Sequence, residues 1–142
     1  MNSKTMTNNI SERAQDTVEE TLDVFHRGAF HLVQPAMKGH RSGVDAMILA
    51  SSVPNGFSGR LADLGSGAGA AGLAVAARCK HARATLIERS GFMLNFAHKS
   101  ANHPLNTALR DRVDILDADV SLTGQARASA RPLDTSSAYV LL

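Results

Sequence analysis

The chain has 142 residues, the size of one ordinary domain, with 44% hydrophobic and 20% charged residues. That balance belongs to a folded globular protein and excludes a disordered chain. A formal net charge of +2 and a pI near 9.0 permit a nucleic-acid partner without requiring one. One cysteine, Cys79, excludes an internal disulfide and fits a reducing, cytoplasmic setting, and no run of about 18 apolar residues exists to span a membrane.

Residues 1–10 are polar, lack the apolar stretch of a secretory signal and are expected to be disordered. Residues 11–56 form an N-terminal extension. In it Ala14, Val18, Leu22 and Phe25 recur at spacings of four, four and three, which predicts an amphipathic helix over 11–25 ended by Gly28. A short strand over 29–34 follows, closed by Pro35. Ser42 and Asp45 supply an oxygen acceptor and a negative charge where a helix start needs them, so a helix is expected over 46–53.

From residue 57 onward the pattern alternates. Strands are expected over 60–64, 83–88, 112–116 and 138–142, with helices over 70–78 and 90–102 and a weakly patterned stretch over 118–131. Strands separated by helices of this length imply right-handed crossovers and a parallel sheet, hence an α/β, Rossmann-like fold.

The glycine-rich turn Asp63-Leu64-Gly65-Ser66-Gly67-Ala68-Gly69-Ala70-Ala71-Gly72 joins the first of these strands to a helix. Glycines admit positive φ and close approach of a ligand, and the helix N-terminus behind them favours an anionic or carboxylate-bearing group. Two ligands compete for such a loop. The spacing Gly67, Gly69, Gly72 satisfies the dinucleotide fingerprint, which would make the chain a nicotinamide-dependent oxidoreductase. Asp63 argues against it, because a carboxylate there repels a pyrophosphate and welcomes the sulfonium and ammonium groups of S-adenosylmethionine. Glu88, 21 residues after Gly67, closes the second strand where a carboxylate can accept from both ribose hydroxyls. Asp119, beyond the third strand, can accept from an adenine amino group, with Asp117 as its rival.

Asp63 to Gly69, Glu88 and Asp119 resemble motifs of the class I S-adenosylmethionine-dependent methyltransferases. The segment 25–50, with Gln34-Pro35, Gly39-His40-Arg41 and Asp45-Ala46 through Leu49-Ala50, resembles the bacterial tRNA adenine-N6 methyltransferases that act on valine tRNA. The resemblance covers residues 17–142. It implies S-adenosylmethionine as cofactor, tRNA as partner, and an extension that covers the methionine end of the cofactor. It puts Gln34, Arg41 and Asp45 near that end, with Arg41 able to pair with the cofactor carboxylate. Alternatively, Asp45 only favours its helix start and Arg41 pairs with it.

In that family the fourth strand leads into Asn-Pro-Pro-Tyr, which holds the target amino group and stacks on its base. Here 138–142 reads Ala-Tyr-Val-Leu-Leu without that motif, and Asn102-His103-Pro104 lies elsewhere in the sheet order. No catalytic residue is therefore assigned, and a truncated, inactive cofactor-binding or interaction protein is the alternative. About four of the family's seven strands are expected, and the last would leave an apolar edge open to a second copy of the chain.

The six histidines show no zinc spacing, Cys79 has no accompanying general base, and the cations at 78–83 and 110–112 read as solvated loop charges. RNA phosphates could meet those cations, but only 4% of the chain is aromatic, too little for a stacking platform.

Overall fold

The computed structural model describes residues 18–37, 41–121 and 139–141. The expected disorder of 1–10, the first part of the expected helix (11–17) and most of the weakly patterned stretch (122–131) lie outside the described residues.

Where a helix was expected up to residue 25, the chain forms a strand. β1 (Glu20–Phe25) pairs antiparallel with β2 (Phe30–Pro35), from Glu20 opposite Pro35 to Phe25 opposite Phe30. Burial along β1 alternates with period two: Thr21, Asp23 and Phe25 face inward, while Leu22 and Val24 are exposed. The helical spacing of Leu22 and Phe25 therefore marks opposite faces of a strand, and pairing with β2 overrides it. A turn at His26–Gly28 closes the hairpin, with positive φ at His26, Arg27 and Gly28, and Phe25 stacks on Phe30 with ring centroids 5.0 Å apart.

The hairpin is fastened to the main domain through the free edge of β2. Ser100 Oγ accepts from Val33 N at 2.9 Å and donates to Val33 O. Asn106 accepts from His31 N at 2.9 Å and donates to His31 O and Ser100 O, each at 2.7 Å. Two side chains thus act as the missing neighbouring strand, and both are buried.

α1 (Val44–Ser51) follows, then the sheet domain: β3 (Gly59–Leu64), α2 (Ala70–Arg78), β4 (Ala82–Glu88), α3 (Gly91–Ala101), α4 (Thr107–Arg110), β5 (Val113–Asp117) and β6 (Tyr139–Leu141). A 3-10 turn, Pro104–Asn106, precedes α4. The sheet order is β5-β4-β3-β6, and every pairing is parallel. This is the α/β, Rossmann-like arrangement expected, in which β3 and β6 diverge to opposite sides of a topological switch point. Because β3-α2-β4 and β4-α3-β5 step in the same direction, right-handed crossovers put α2 and α3 on one face of the sheet.

Alanines make this packing tight. α2 buries seven consecutive residues, Ala70 to Ala76, because small side chains let it lie close to the sheet. Leu61, Leu73, Val75, Leu86 and Phe96 fill the layer at 1% exposure or less. Burying each such side chain contributes about 1.5–3 kcal/mol.

Two arginines among the expected loop charges are instead structural caps. Arg78 donates to Ala50 O and Val53 O, each at 2.8 Å, closing the end of α1. Arg112 donates to Ala76 O, Cys79 O and Ala82 O, closing the end of α2. Cys79 is buried beside them. Among the described residues, no helix is long and apolar enough to cross a membrane.

Candidate functional site

The carboxyl ends of β3 and β4 open into a cleft of about 590 Å³. One wall is the glycine-rich loop with Asp63, Gly65, Ser66 and Gly67. A second is Glu88, Arg89, Ser90 and Met93, and the third is Ser42, Asp45, Ala46 and Leu49 around the start of α1. Clefts outside the carboxyl ends of parallel strands at the switch point are where this architecture binds ligands.

The loop's shape depends on its glycines. Gly65, Gly67 and Gly69 have φ of 72°, 56° and 99°, and Gly69 caps α2 in the left-handed region. Backbone bonds hold the turn: Gly65 N and Ser66 N both donate to Ile87 O, at 2.8 and 3.0 Å. Gly72 serves a different purpose. A Cβ there would lie 2.4 Å from Leu86 Cδ2 and 3.2 Å from Asp63 Oδ2. That closeness lets Gly72 N donate to Asp63 Oδ2 at 2.9 Å, so the first turn of α2 fixes the carboxylate. Gly72 thus lets α2 pack closely on the sheet, the role the third glycine of a dinucleotide fingerprint also has, so it does not choose between the two ligands.

Asp63 is 3% exposed, and its pKa is raised to about 6. Burial is the main cause, the Gly72 N–H opposes it, and the Glu88 charge adds to it. A carboxylate held at such cost suits a cationic ligand group. Glu88 organises its own surroundings: Oε2 accepts from Gly67 N at 2.9 Å, while Oε1 accepts from Arg89 N and Ser90 N. Ser90 in turn caps α3 by accepting from Met93 N. Ser66 keeps a buried hydroxyl with no hydrogen-bond partner among the described residues.

Asp119 lies at the mouth rather than in the lining. It accepts from Ser121 Oγ and N and from Arg89 Nη1 at 3.1 Å, and these bonds, those of Ser121 foremost, hold its carboxyl below the ordinary value. Its rival Asp117 closes β5 opposite Glu88. Arg41 binds the hairpin: it donates to Pro35 O at 2.7 Å, to Thr21 Oγ1 at 3.0 Å and to Asp23 at 2.9 Å. Asp45 accepts from Gly43 N at 3.1 Å and lines the cleft. Six expected residues, Asp63, Gly65, Ser66, Gly67, Glu88 and Asp45, therefore share one cleft, while Gly69 stands behind the loop and Arg41 and Asp119 stand beside it. Of the remaining lining residues, Met93 packs 3.6 Å from where a Gly67 Cβ would lie and carried no sequence signal beyond its place on a helix.

These residues fit S-adenosylmethionine better than a pyrophosphate. Among the described residues, three carboxylates, Asp45, Asp63 and Glu88, line the cleft, and the one guanidinium there, Arg89, is paired with Asp119. Among the described residues, no group of three or more His, Cys, Asp or Glu could hold a metal ion.

Comparison with known proteins agrees with this geometry. The model of the methyltransferase small domain matches residues 40–127. No curated protein matches the chain. Among solved structures, a predicted O-methyltransferase from Agrobacterium tumefaciens is 52% identical, with a TM-score of 0.55 over 58% of this chain and 40% of that one. TYW2 from P. horikoshii, in complex with MeSAdo, is 19% identical with a TM-score of 0.58, covering 72% of this chain and 37% of that one. TYW2 from M. jannaschii, in complex with AdoMet, is 14% identical with a TM-score of 0.55, covering 70% and 43%. The chain thus spans less than half the length of each of these structures.

Proposed function

The chain belongs to the methyltransferase small domain family, and from that premise we propose that it is the cofactor-binding portion of an S-adenosylmethionine-dependent methyltransferase. The observation that carries this reading is the buried, high-pKa Asp63 beside a positive-φ glycine loop at the switch point. S-adenosylmethionine supplies an electrophilic methyl group on a sulfonium. Asp63 and Asp45 hold the amino-acid end, Gly65, Ser66, Gly67 and Gly69 shape the loop around it, and Glu88 takes the ribose hydroxyls. Asp119, tied to Arg89, takes the adenine side of the mouth, and Arg41 braces the wall that carries Asp45. Asp63 in the cleft lining argues against the nicotinamide alternative, because its carboxylate would repel a pyrophosphate.

For the methyl acceptor, the Gly39-to-Ala50 segment supports an adenine amino group in tRNA, by resemblance to the valine-tRNA methyltransferases. The domain's part is positioning, which converts a bimolecular displacement into one between aligned groups. The residues that grip the acceptor are proposed to lie outside this chain's described part. The free edge of β6 is proposed as a pairing surface for a second copy, read out by sedimentation equilibrium.

The test is transfer of a labelled methyl group from S-adenosylmethionine to unmodified tRNA, followed by nucleoside digestion. Label in N6-methyladenosine supports the acceptor. Label in a nucleoside other than adenosine refutes the acceptor, and cofactor binding with no transfer supports the non-catalytic cofactor-binding protein.

A further inference from the structure

α1 is a cleft wall that packs on the core through Ala46, Met47 and Ala50 while the rest of it is exposed. Only Ala50 of its eight residues is buried, and Val44 and Ile48 are 74% and 65% exposed. Its N-cap is Gly43, which has no side chain to cap with and donates its N–H to Asp45 Oδ1 at 3.1 Å. Polar clamps hold both of its ends as well, Arg78 at the C-terminus and a three-residue cluster at the N-terminus.

The N-terminal clamp centres on Asp23. Its Oδ2 accepts from Gln34 Nε2 at 2.6 Å and from Arg41 Nη2 at 2.9 Å. Gln34, fully buried, accepts from Ser42 N at 2.7 Å and donates to Ser42 O at 3.3 Å, so its amide serves Ser42 as a strand neighbour would. Arg41 itself donates to Pro35 O and Thr21 Oγ1. Apart from the Asp23–Gln34 bond within the hairpin, the bonds of this clamp run between the β1–β2 hairpin and residues 41 and 42, four and three positions before Asp45.

We propose that Asp23 is a positioning residue for the cofactor site: through Gln34 and Arg41 it sets the wall Ser42–Asp45, and so the affinity for the amino-acid end of S-adenosylmethionine. This rests on the cofactor reading given above. Asp23 does not line the cleft, so it acts without touching the ligand. The hairpin, built far from the glycine loop in sequence, becomes part of the binding site through one carboxylate.

The test compares S-adenosylmethionine with 5′-deoxy-5′-methylthioadenosine, which keeps the adenosine and lacks the amino-acid end. Calorimetric titration of wild type and Asp23→Ala is expected to show roughly tenfold weaker S-adenosylmethionine binding, the scale of one lost charge-assisted bond. Methylthioadenosine binding is expected to stay unchanged. Asp23→Asn, which keeps an acceptor for Gln34, restores most of the loss. Should Asp23→Ala not fold, Thr21→Val removes one anchor of Arg41 and is expected to give a smaller loss with the same selectivity.

Equal losses for both ligands overturn the proposal, since they describe general damage to the fold. Unchanged S-adenosylmethionine binding overturns it as well. Tighter binding in Asp23→Ala also overturns it, because that is what a released Arg41 gripping the cofactor carboxylate would produce. A wild-type chain that binds neither ligand refutes the cofactor reading itself and takes the proposal with it.

Discussion

Replacing Asp63 by asparagine separates stability from binding. The carboxyl's pKa rises from 3.8 to about 6 on folding. Between those values the folded chain holds a proton that the unfolded chain has released. Stability therefore falls as pH rises through this window and is flat above it. Once both states are ionised the cost is about 3 kcal/mol. Asp63→Asn removes the charge while its side-chain oxygen can still accept from Gly72 N. The variant is expected to be more stable than wild type by about 1–3 kcal/mol at pH 7.5, and no more stable at pH 4. S-adenosylmethionine should stabilise wild type by roughly 2.7 kcal/mol at a hundred times its dissociation constant and the variant far less. Urea melts at both pH values, with and without the ligand, measure all four quantities. A variant less stable at pH 7.5, or a stability difference that does not change with pH, refutes the burial argument for this carboxylate.

Three further outcomes are expected. Gly72→Ala should cost about 1–3 kcal/mol in a denaturant melt, because its Cβ would press on the buried Leu86 and on Asp63. Asn106→Ala should cost about 1–3 kcal/mol, since it strands His31 N and His31 O beneath the hairpin, and should raise amide exchange in β2. Affinity for S-adenosylmethionine should weaken about tenfold per pH unit below about 6 and level off above it, because Asp63 must lose its proton to meet a cation. Titration in buffers of different ionisation enthalpy should show proton release below that pH and none above it.

How far the sequence could be read depended on the range of the interactions. The limits of α2, 70–78, follow from a glycine loop before it and an apolar run within it, both local signals. The parallel order followed from alternating strands and helices, and Asp63, Gly67 and Glu88 from their places at strand ends. The spacing of Leu22 and Phe25 suits one face of a helix, whereas pairing with β2 puts them on opposite faces of a strand, and nothing local to 20–25 reveals that partner. Ser100 and Asn106 were silent because their partners lie 67 and 75 residues away. Arg78 and Arg112 looked like solvated charges, since nothing local reveals that a guanidinium will meet three carbonyls or amides across the fold. Arg41 was expected beside the cofactor or Asp45. Its bonds to Asp23, Thr21 and Pro35 arise only once the hairpin exists.

The central claim, that this cleft is built for a cationic cofactor, is tested most directly by titrating the purified chain with S-adenosylmethionine and, separately, with NAD in a calorimeter at pH 7.5. The account predicts saturable binding of S-adenosylmethionine and none of NAD. Binding of NAD alone would contradict it, and would mean that Asp63 does not choose the ligand.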